Sequence, residues 1–177
     1  SSQAVSATPF VDIRAQRVVT VSAEGQVYAM QLRTGQAMWG PVALGSPVRS
    51  APWVDTRSGY VYFAGADNTQ HALQANDGAP VSGYPMLFEG EGGFTSTPVV
   101  VPLGDGRRVM FAANNAGRFY AVNAADPGYW AMFDTGNSQC RFLGSPAVSG
   151  TSDDDLVVAA CTDGSLYAFR LADAAAL

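Results

Sequence analysis

The sequence predicts an all-β fold: a β-propeller built from about four four-stranded blades, the last one incomplete. Three observations predict it. First, one segment recurs as Gly25-Gln26-Val27-Tyr28-Ala29-Met30, Gly117-Arg118-Phe119-Tyr120-Ala121-Val122 and Gly164-Ser165-Leu166-Tyr167-Ala168-Phe169, with a worn copy at Asn68-Thr69-Gln70-His71-Ala72-Leu73. Second, a small residue followed by proline and an apolar run recurs upstream of each copy. Pro9, Pro52, Pro98 and Pro146 are spaced 43, 46 and 48 residues apart, the period of a propeller blade. Third, 19 Gly and 10 Pro punctuate the chain, which disfavours long helices.

Each period reads as strands in order. Strand A is the proline segment, where a missing N–H is tolerated at a strand start. Strand B is an apolar, β-branched run: Val18–Val21, Tyr60–Ala64, Val109–Ala112 and Leu156–Ala159. A Gly, Asp or Asn turn leads to strand C, the Tyr-Ala segment. Strand D follows the turns at Thr34-Gly35, Asp77-Gly78 and Pro127-Gly128. Strands B and C are apolar on both faces, as sheets covered on both sides require. The expected organisation is one propeller domain over 1–177, with blades at about 5–44, 45–93, 94–142 and 143–171. The fourth period stops after strand C, leaving an expected bare edge over Leu166–Leu171, and bare edges invite pairing with another chain. Ala172–Leu177 is the one helical candidate and is too short to stand alone.

Composition excludes several classes of function. The chain has 47% hydrophobic and 14% charged residues, a net charge of −5, ten Arg and no Lys. It has no basic footprint for nucleic acid, and no apolar run long enough to span a bilayer.

Residues 29–39, Ala29-Met30-Gln31-Leu32-Arg33-Thr34-Gly35-Gln36-Ala37-Met38-Trp39, read as Ala, four residues, Thr-Gly, three residues, Trp. This resembles the tryptophan-docking motif of the pyrroloquinoline-quinone-like (PQQ-like) propeller repeat. The full pattern occurs once; Asp77-Gly78 lacks a tryptophan in register, and Trp130 comes too early after Pro127-Gly128. The resemblance implies that Trp39 docks on the next blade, that Tyr28, Tyr120 and Tyr167 pack between blades, and that the compartment is periplasmic or otherwise extracytoplasmic. The family holds quinoprotein dehydrogenases, and non-enzymatic scaffolds such as the lipoprotein of the outer-membrane β-barrel assembly machine. Members of both kinds usually have about eight blades, so this chain resembles half a ring.

The candidate sites are few. The dehydrogenases pair vicinal cysteines with a calcium held by Glu, Asn and Asp; here Cys140 and Cys161 are not adjacent, and no calcium set is recognisable. No cofactor is expected, with PQQ and Ca²⁺ kept as what the dehydrogenase branch would imply. The only histidine, His71, occupies the slot of Tyr28, Tyr120 and Tyr167 and is expected to pack. A Cys140–Cys161 disulfide remains open, because spacing does not fix the Cα separation. Asp153-Asp154-Asp155 lacks the alternation of a calcium loop and reads as a solvated hairpin tip. Loops between strands B and C, and from D to the next A, share one propeller face. That face would carry Glu24, Arg49, Asp67, Asn68, Glu91, Phe94, Asn114, Asn115, Arg141 and Asp163, the expected recognition surface. The expected function is a non-enzymatic extracytoplasmic scaffold that meets a protein partner, or a second copy of itself completing the ring. The alternative is a cofactor-binding portion of a quinoprotein oxidoreductase.

Overall fold

The computed structural model describes Val5 and residues 7–90, 92–128 and 130–176. Its strands form four antiparallel sheets, each built from consecutive segments. Sheet 1 contains β1 (Phe10–Asp12), β2 (Arg17–Val21), β3 (Gln26–Gln31) and β4 (Ala37–Ala43). Sheet 2 contains β5 (Trp53–Asp55), β6 (Tyr60–Ala64), β7 (Thr69–Gln74) and β8 (Met86–Leu87). Sheet 3 contains β9 (Val99–Pro102), β10 (Arg108–Ala113), β11 (Arg118–Asn123) and β12 (Trp130–Asp134). Sheet 4 has three strands, β13 (Ala147–Val148), β14 (Leu156–Ala160) and β15 (Leu166–Arg170), followed by α1 (Leu171–Ala176). β1 lies beside β5, and β5 beside β9, so successive sheets meet along their first strands. This is the radial order of a partial propeller.

The pairing registers repeat. Val18 faces Val11 and Met30 across sheet 1. Val61 faces Val54 and Leu73 in sheet 2. Met110 faces Val100 and Val122 in sheet 3, and Val157 faces Val148 and Phe169 in sheet 4. Because side chains alternate across a strand, this shared register gives every sheet one face toward its predecessor and one toward its successor. Three apolar interfaces follow. Val19, Val21, Val27 and Ala29 of sheet 1 pack on Val54, Val61, Phe63 and Leu73 of sheet 2. Tyr62, Ala64 and Ala72 then pack on Val100, Met110, Ala112, Tyr120 and Val122. Phe111, Phe119 and Ala121 pack on Val157 and Ala159, with Tyr167 and Phe169 against them.

The same logic governs the rim. Each segment entering a sheet donates to the β-turn of the sheet before it and accepts from the turn of the sheet it enters. Ala66 N–H donates to Pro47 (2.8 Å), Asn115 to Gly93 (3.0 Å) and Thr162 to Arg141 (3.1 Å). In the other direction Val48 N–H donates to Ala23 (3.2 Å), Phe94 to Gly65 (3.0 Å) and Phe142 to Asn114 (3.2 Å). Buried backbone groups that do not enter a ladder are thereby satisfied. Gly25, at φ 82°, shows how close the approach is, since a Cβ there would meet the Ser46 carbonyl oxygen.

Cys140, before β13, is bonded to Cys161, just after β14, with Cα atoms 5.4 Å apart. The bridge ties the segment entering sheet 4 to that sheet's own turn. It closes 21 residues, so its removal is expected to cost about 3 kcal/mol on the loop-entropy scale. Urea unfolding of Cys140→Ser/Cys161→Ser against the oxidised parent checks this; identical midpoints would refute it.

Two expectations need correction at the C-terminal end. The open edge ends at Arg170, because Leu171 turns into α1 and is fully buried in the interface of sheets 3 and 4. The short helix lies against β11 and β15, so tertiary packing supplies what six residues lack alone. Among the described residues no helix is long and apolar enough to cross a membrane.

Candidate protein-interaction face

Trp39 ends the docking motif on β4 and reaches the next sheet. Its Nε1 donates to the Ala75 carbonyl at 3.0 Å. Its ring covers Gly78, where an added Cβ would lie 2.7 Å from Trp39 Cε3. Tyr120 is buried against Phe88 and Phe94, with centroids 4.5 and 5.8 Å away. Tyr167 packs on Phe133 and Phe142. Tyr28 differs. It sits in the same slot but is only half-buried, because no described sheet precedes sheet 1.

His71 fills the tyrosine slot of sheet 2 as part of a polar knot. Thr69 Oγ1 donates to Asp67 Oδ1 at 2.5 Å and lies 2.8 Å from His71 Nε2, while Ser46 Oγ lies 3.3 Å from the same nitrogen. Because the Thr69 hydroxyl proton is given to Asp67, Nε2 carries a proton and donates to Thr69. Burial holds the His71 pKa below its ordinary value, with the Asp67 charge opposing. Burial works against ionised Asp67, but hydrogen bonds from Thr69 and Ser46 outweigh it and keep its carboxyl below the usual range. Between sheets 2 and 3, burial pushes the Tyr62 phenol up to about 12 and raises Tyr84 as well. These are structural polar groups, and none opens into a cleft as a poised nucleophile.

The rim divides the residues expected at a recognition surface. Glu24, Arg49, Asp67, Arg141 and Asp163 are exposed, and Asn115 is half-buried. Asp67 and Asp163 are braced by Thr69 and by Asn137, whose Nδ2 donates to Asp163 at 2.7 Å. Among the described residues the charged ends of Glu24, Arg49 and Arg141 form no ion pair. Three residues need correction. Phe94 is fully buried between Phe88 and Tyr120. Asn68 is turned inward, its Nδ2 donating to the Phe88 carbonyl at 2.7 Å. Asn114 is also buried, its Oδ1 accepting from the Ala116 and Arg118 N–H groups. For the two asparagines local backbone groups claim the side chain, whereas Phe94 is held by aromatic packing. Glu91 lies outside the described residues.

Sequence reading missed a structural position. The residue four before each blade proline is Val5, Val48, Phe94 or Phe142, and the last three are fully buried knobs between sheets. The apolar character of all four was the available signal. Sequence reading also missed the Arg17 anchor, a lone charge inside a β run whose partner Asp12 lies five residues earlier.

The two cysteines do not match what the quinone-binding branch would use. The cysteines are 21 positions apart and bonded to each other, so they offer no vicinal pair. The one group of three metal-ligand types among the described residues is Cys140, Cys161 and Asp163. Its sulfurs are spent in the disulfide and are not thiolate ligands.

Residues 1–84 match the family described as outer membrane protein assembly factor BamB, defined by the PQQ_2 repeat. No curated protein matches the chain. Among solved structures, BamB from Moraxella catarrhalis superposes with a TM-score of 0.71 at 22% identity, over 96% of this chain and 48% of that one. The computationally designed Ika4 protein superposes at 0.65 and 15% identity, over 96% of this chain and 92% of that one. At such identities the likeness speaks for the fold. The chain spans about half the length of the Moraxella protein. The part of the chain up to residue 84 is thus similar to the PQQ-like repeats of that family.

Proposed function

We propose that this chain is a non-enzymatic extracytoplasmic scaffold of outer-membrane protein assembly, holding a protein partner on the rim that carries Glu24, Arg49, Asp67, Arg141 and Asp163. The observation that carries the reading is the hydrogen-bonded rim. Exposed charges stand on turns that are locked to neighbouring sheets by backbone bonds of 2.8–3.2 Å. Groups held this way lose little conformational entropy on binding, and recognition from loops on a rigid frame needs no chemistry. The BamB-like match over residues 1–84 supports this compartment and this class of partner, a component of the outer-membrane assembly machinery. The unit acts as one propeller domain, with blade boundaries near residues 44, 93 and 142. No bond is made or broken.

Photocrosslinking in cells tests this, with a photoreactive residue at Arg49 or Arg141 on the rim, and at Gln74 on the opposite one. The expected result is a crosslink to an outer-membrane assembly protein from positions 49 and 141 and none from 74. Equal crosslinking from both rims, or none from 49 and 141, would refute the rim as the contact.

A further inference from the structure

We infer that His71 is an acid-sensitive latch: its protonation frees segment 46–48 from the β6–β7 turn and loosens the rim between sheets 1 and 2. The latch does not rest on the rim reading above, because it concerns how two sheets are held together within one chain.

In sheets 3 and 4 the slot that His71 fills holds Tyr120 and Tyr167, which pack in aromatic clusters and stay neutral across the physiological range. In sheet 2 the same slot holds an imidazole, the one histidine of the chain. His71 faces sheet 1. It lies opposite Phe63 and two residues before Leu73, and both of these are buried against Val19, Val21 and Val27. The residue itself is 5% exposed.

The imidazole joins two pieces of chain. Thr69, 2.8 Å from Nε2, belongs to sheet 2. Ser46, 3.3 Å from the same nitrogen, lies in the segment arriving from sheet 1. Two residues later, Val48 N–H donates to the Ala23 carbonyl of sheet 1 at 3.2 Å. Gly65 shows that the knot has no slack. Its position is taken by Ser22, Asn114 and Cys161 in the other sheets, and each of the four N–H groups donates to the carbonyl four residues on. A Cβ at Gly65 would collide with Thr69 Oγ1, Asp67 Oδ1 and Ser46 Oγ. The knot fills the space where the other sheets place a side chain.

With the Nε2 proton given to Thr69, a second proton lands on Nδ1 and puts a cation into this closed site. A buried charge is costly unless it is paired. Asp67 is the charge that acts on the ring, and its attraction is smaller than the effect of burial. Its carboxylate is already bound by Thr69 and Ser46. Glu24 in the β2–β3 turn and Arg49 after Val48 are exposed to solvent. The buried Arg17–Asp12 pair sits at the end of β7, bonded to Ala75 and Asn76. Folding therefore favours the neutral ring. The stability this contributes is whole above pH 6.5, the ordinary histidine value, and is lost as pH falls below it. The contribution of Asp67 is lost only as pH falls below 3.8, so milder acid acts through His71. No second imidazole is present and both cysteines are bonded, which leaves the window to one side chain. Arg49 and Asp67 stand on the two pieces that the latch joins, so it also sets how they are presented; that consequence alone rests on the rim reading.

Amide exchange tests the latch, read as protection factors on either side of the histidine window, at about pH 7.5 and about pH 5. Protection of Val48 is expected to fall at least about fivefold between them. Phe142, whose N–H bonds Asn114 between sheets 3 and 4, is expected to keep its protection. His71→Tyr installs the residue of the sister slots, and His71→Gln keeps an N–H donor that does not titrate. Both are expected to abolish the fall at Val48. Constant protection of Val48 in the parent, an equal fall at Phe142, or a fall that survives in both variants would each overturn the latch. The contrast of Val48 with Phe142 in the parent decides even where a variant does not fold.

Discussion

Arg17→Ala is expected to lower unfolding stability by about 3–5 kcal/mol, the cost of leaving a buried ionic partner alone. Arg17 and Asp12 are both nearly inaccessible, at 4% and 5% exposure, and their side chains meet at 3.0 Å. The guanidinium is also a strap between sheets. Its Nη1 donates to the Ala75 carbonyl at 2.8 Å and to Asn76 Oδ1 at 3.0 Å on sheet 2. Truncation therefore leaves a buried carboxylate without its counter-charge, held only by the Ala15 N–H, while the Ala75 carbonyl keeps its bond from Trp39 Nε1; the uncompensated charge carries the desolvation cost. The double variant Arg17→Met/Asp12→Leu removes both charges and is expected to recover much of the loss, as apolar replacements of buried pairs do. Urea denaturation of the three proteins checks the pattern. A loss below 1 kcal/mol for Arg17→Ala, or a double variant worse than the single, would refute the buried strap.

Phe94→Ala separates the two readings of that residue. As a fully buried ring, 5.6 Å from Phe88 and 5.8 Å from Tyr120, it is expected to cost about 3–5 kcal/mol through lost burial and the cavity left behind. Folding should weaken through the junction of sheets 2 and 3, where Phe94 is the knob of the repeated template. As a recognition residue on an exposed loop it would cost almost nothing. Differential scanning calorimetry discriminates: a melting temperature within a degree of the parent would return Phe94 to the surface.

The fold was legible because its two anchors are local. A small residue before proline and the Tyr-Ala segment mark strands A and C by their own backbone preferences, and their spacing of 43–48 residues sets the blade. The docking motif placed Trp39 on its neighbour because an indole over glycine has few other uses at that spacing. The site was less legible. Asn68 and Asn114 read as ordinary turn residues, and only the coordinates reveal that their amides cap inward-facing backbone. Phe94 follows a Gly-rich loop, which disguised its place in a four-fold positional series. The ion pair between Asp12 and Arg17 lies within one hairpin, but its value comes from sheet 2, 58 residues away, and no local pattern encodes that. The end of the chain was misjudged for a similar reason: Leu171 is drawn into a helix by a pocket that sheets 3 and 4 make together.

The central claim is that four sheets stand radially and are zipped along one rim. Amide hydrogen exchange tests it at the zipper itself. The Val48 and Phe94 amides lie in the segments entering sheets 2 and 3, and their acceptors, the Ala23 and Gly65 carbonyls, lie in the turns of the preceding sheets. Both should exchange at least about a hundredfold more slowly than Gly104 in the exposed turn between β9 and β10, because opening them requires separating neighbouring sheets. Exchange of Val48 and Phe94 as fast as Gly104 would mean that the sheets do not meet at that rim, and the radial arrangement would be wrong.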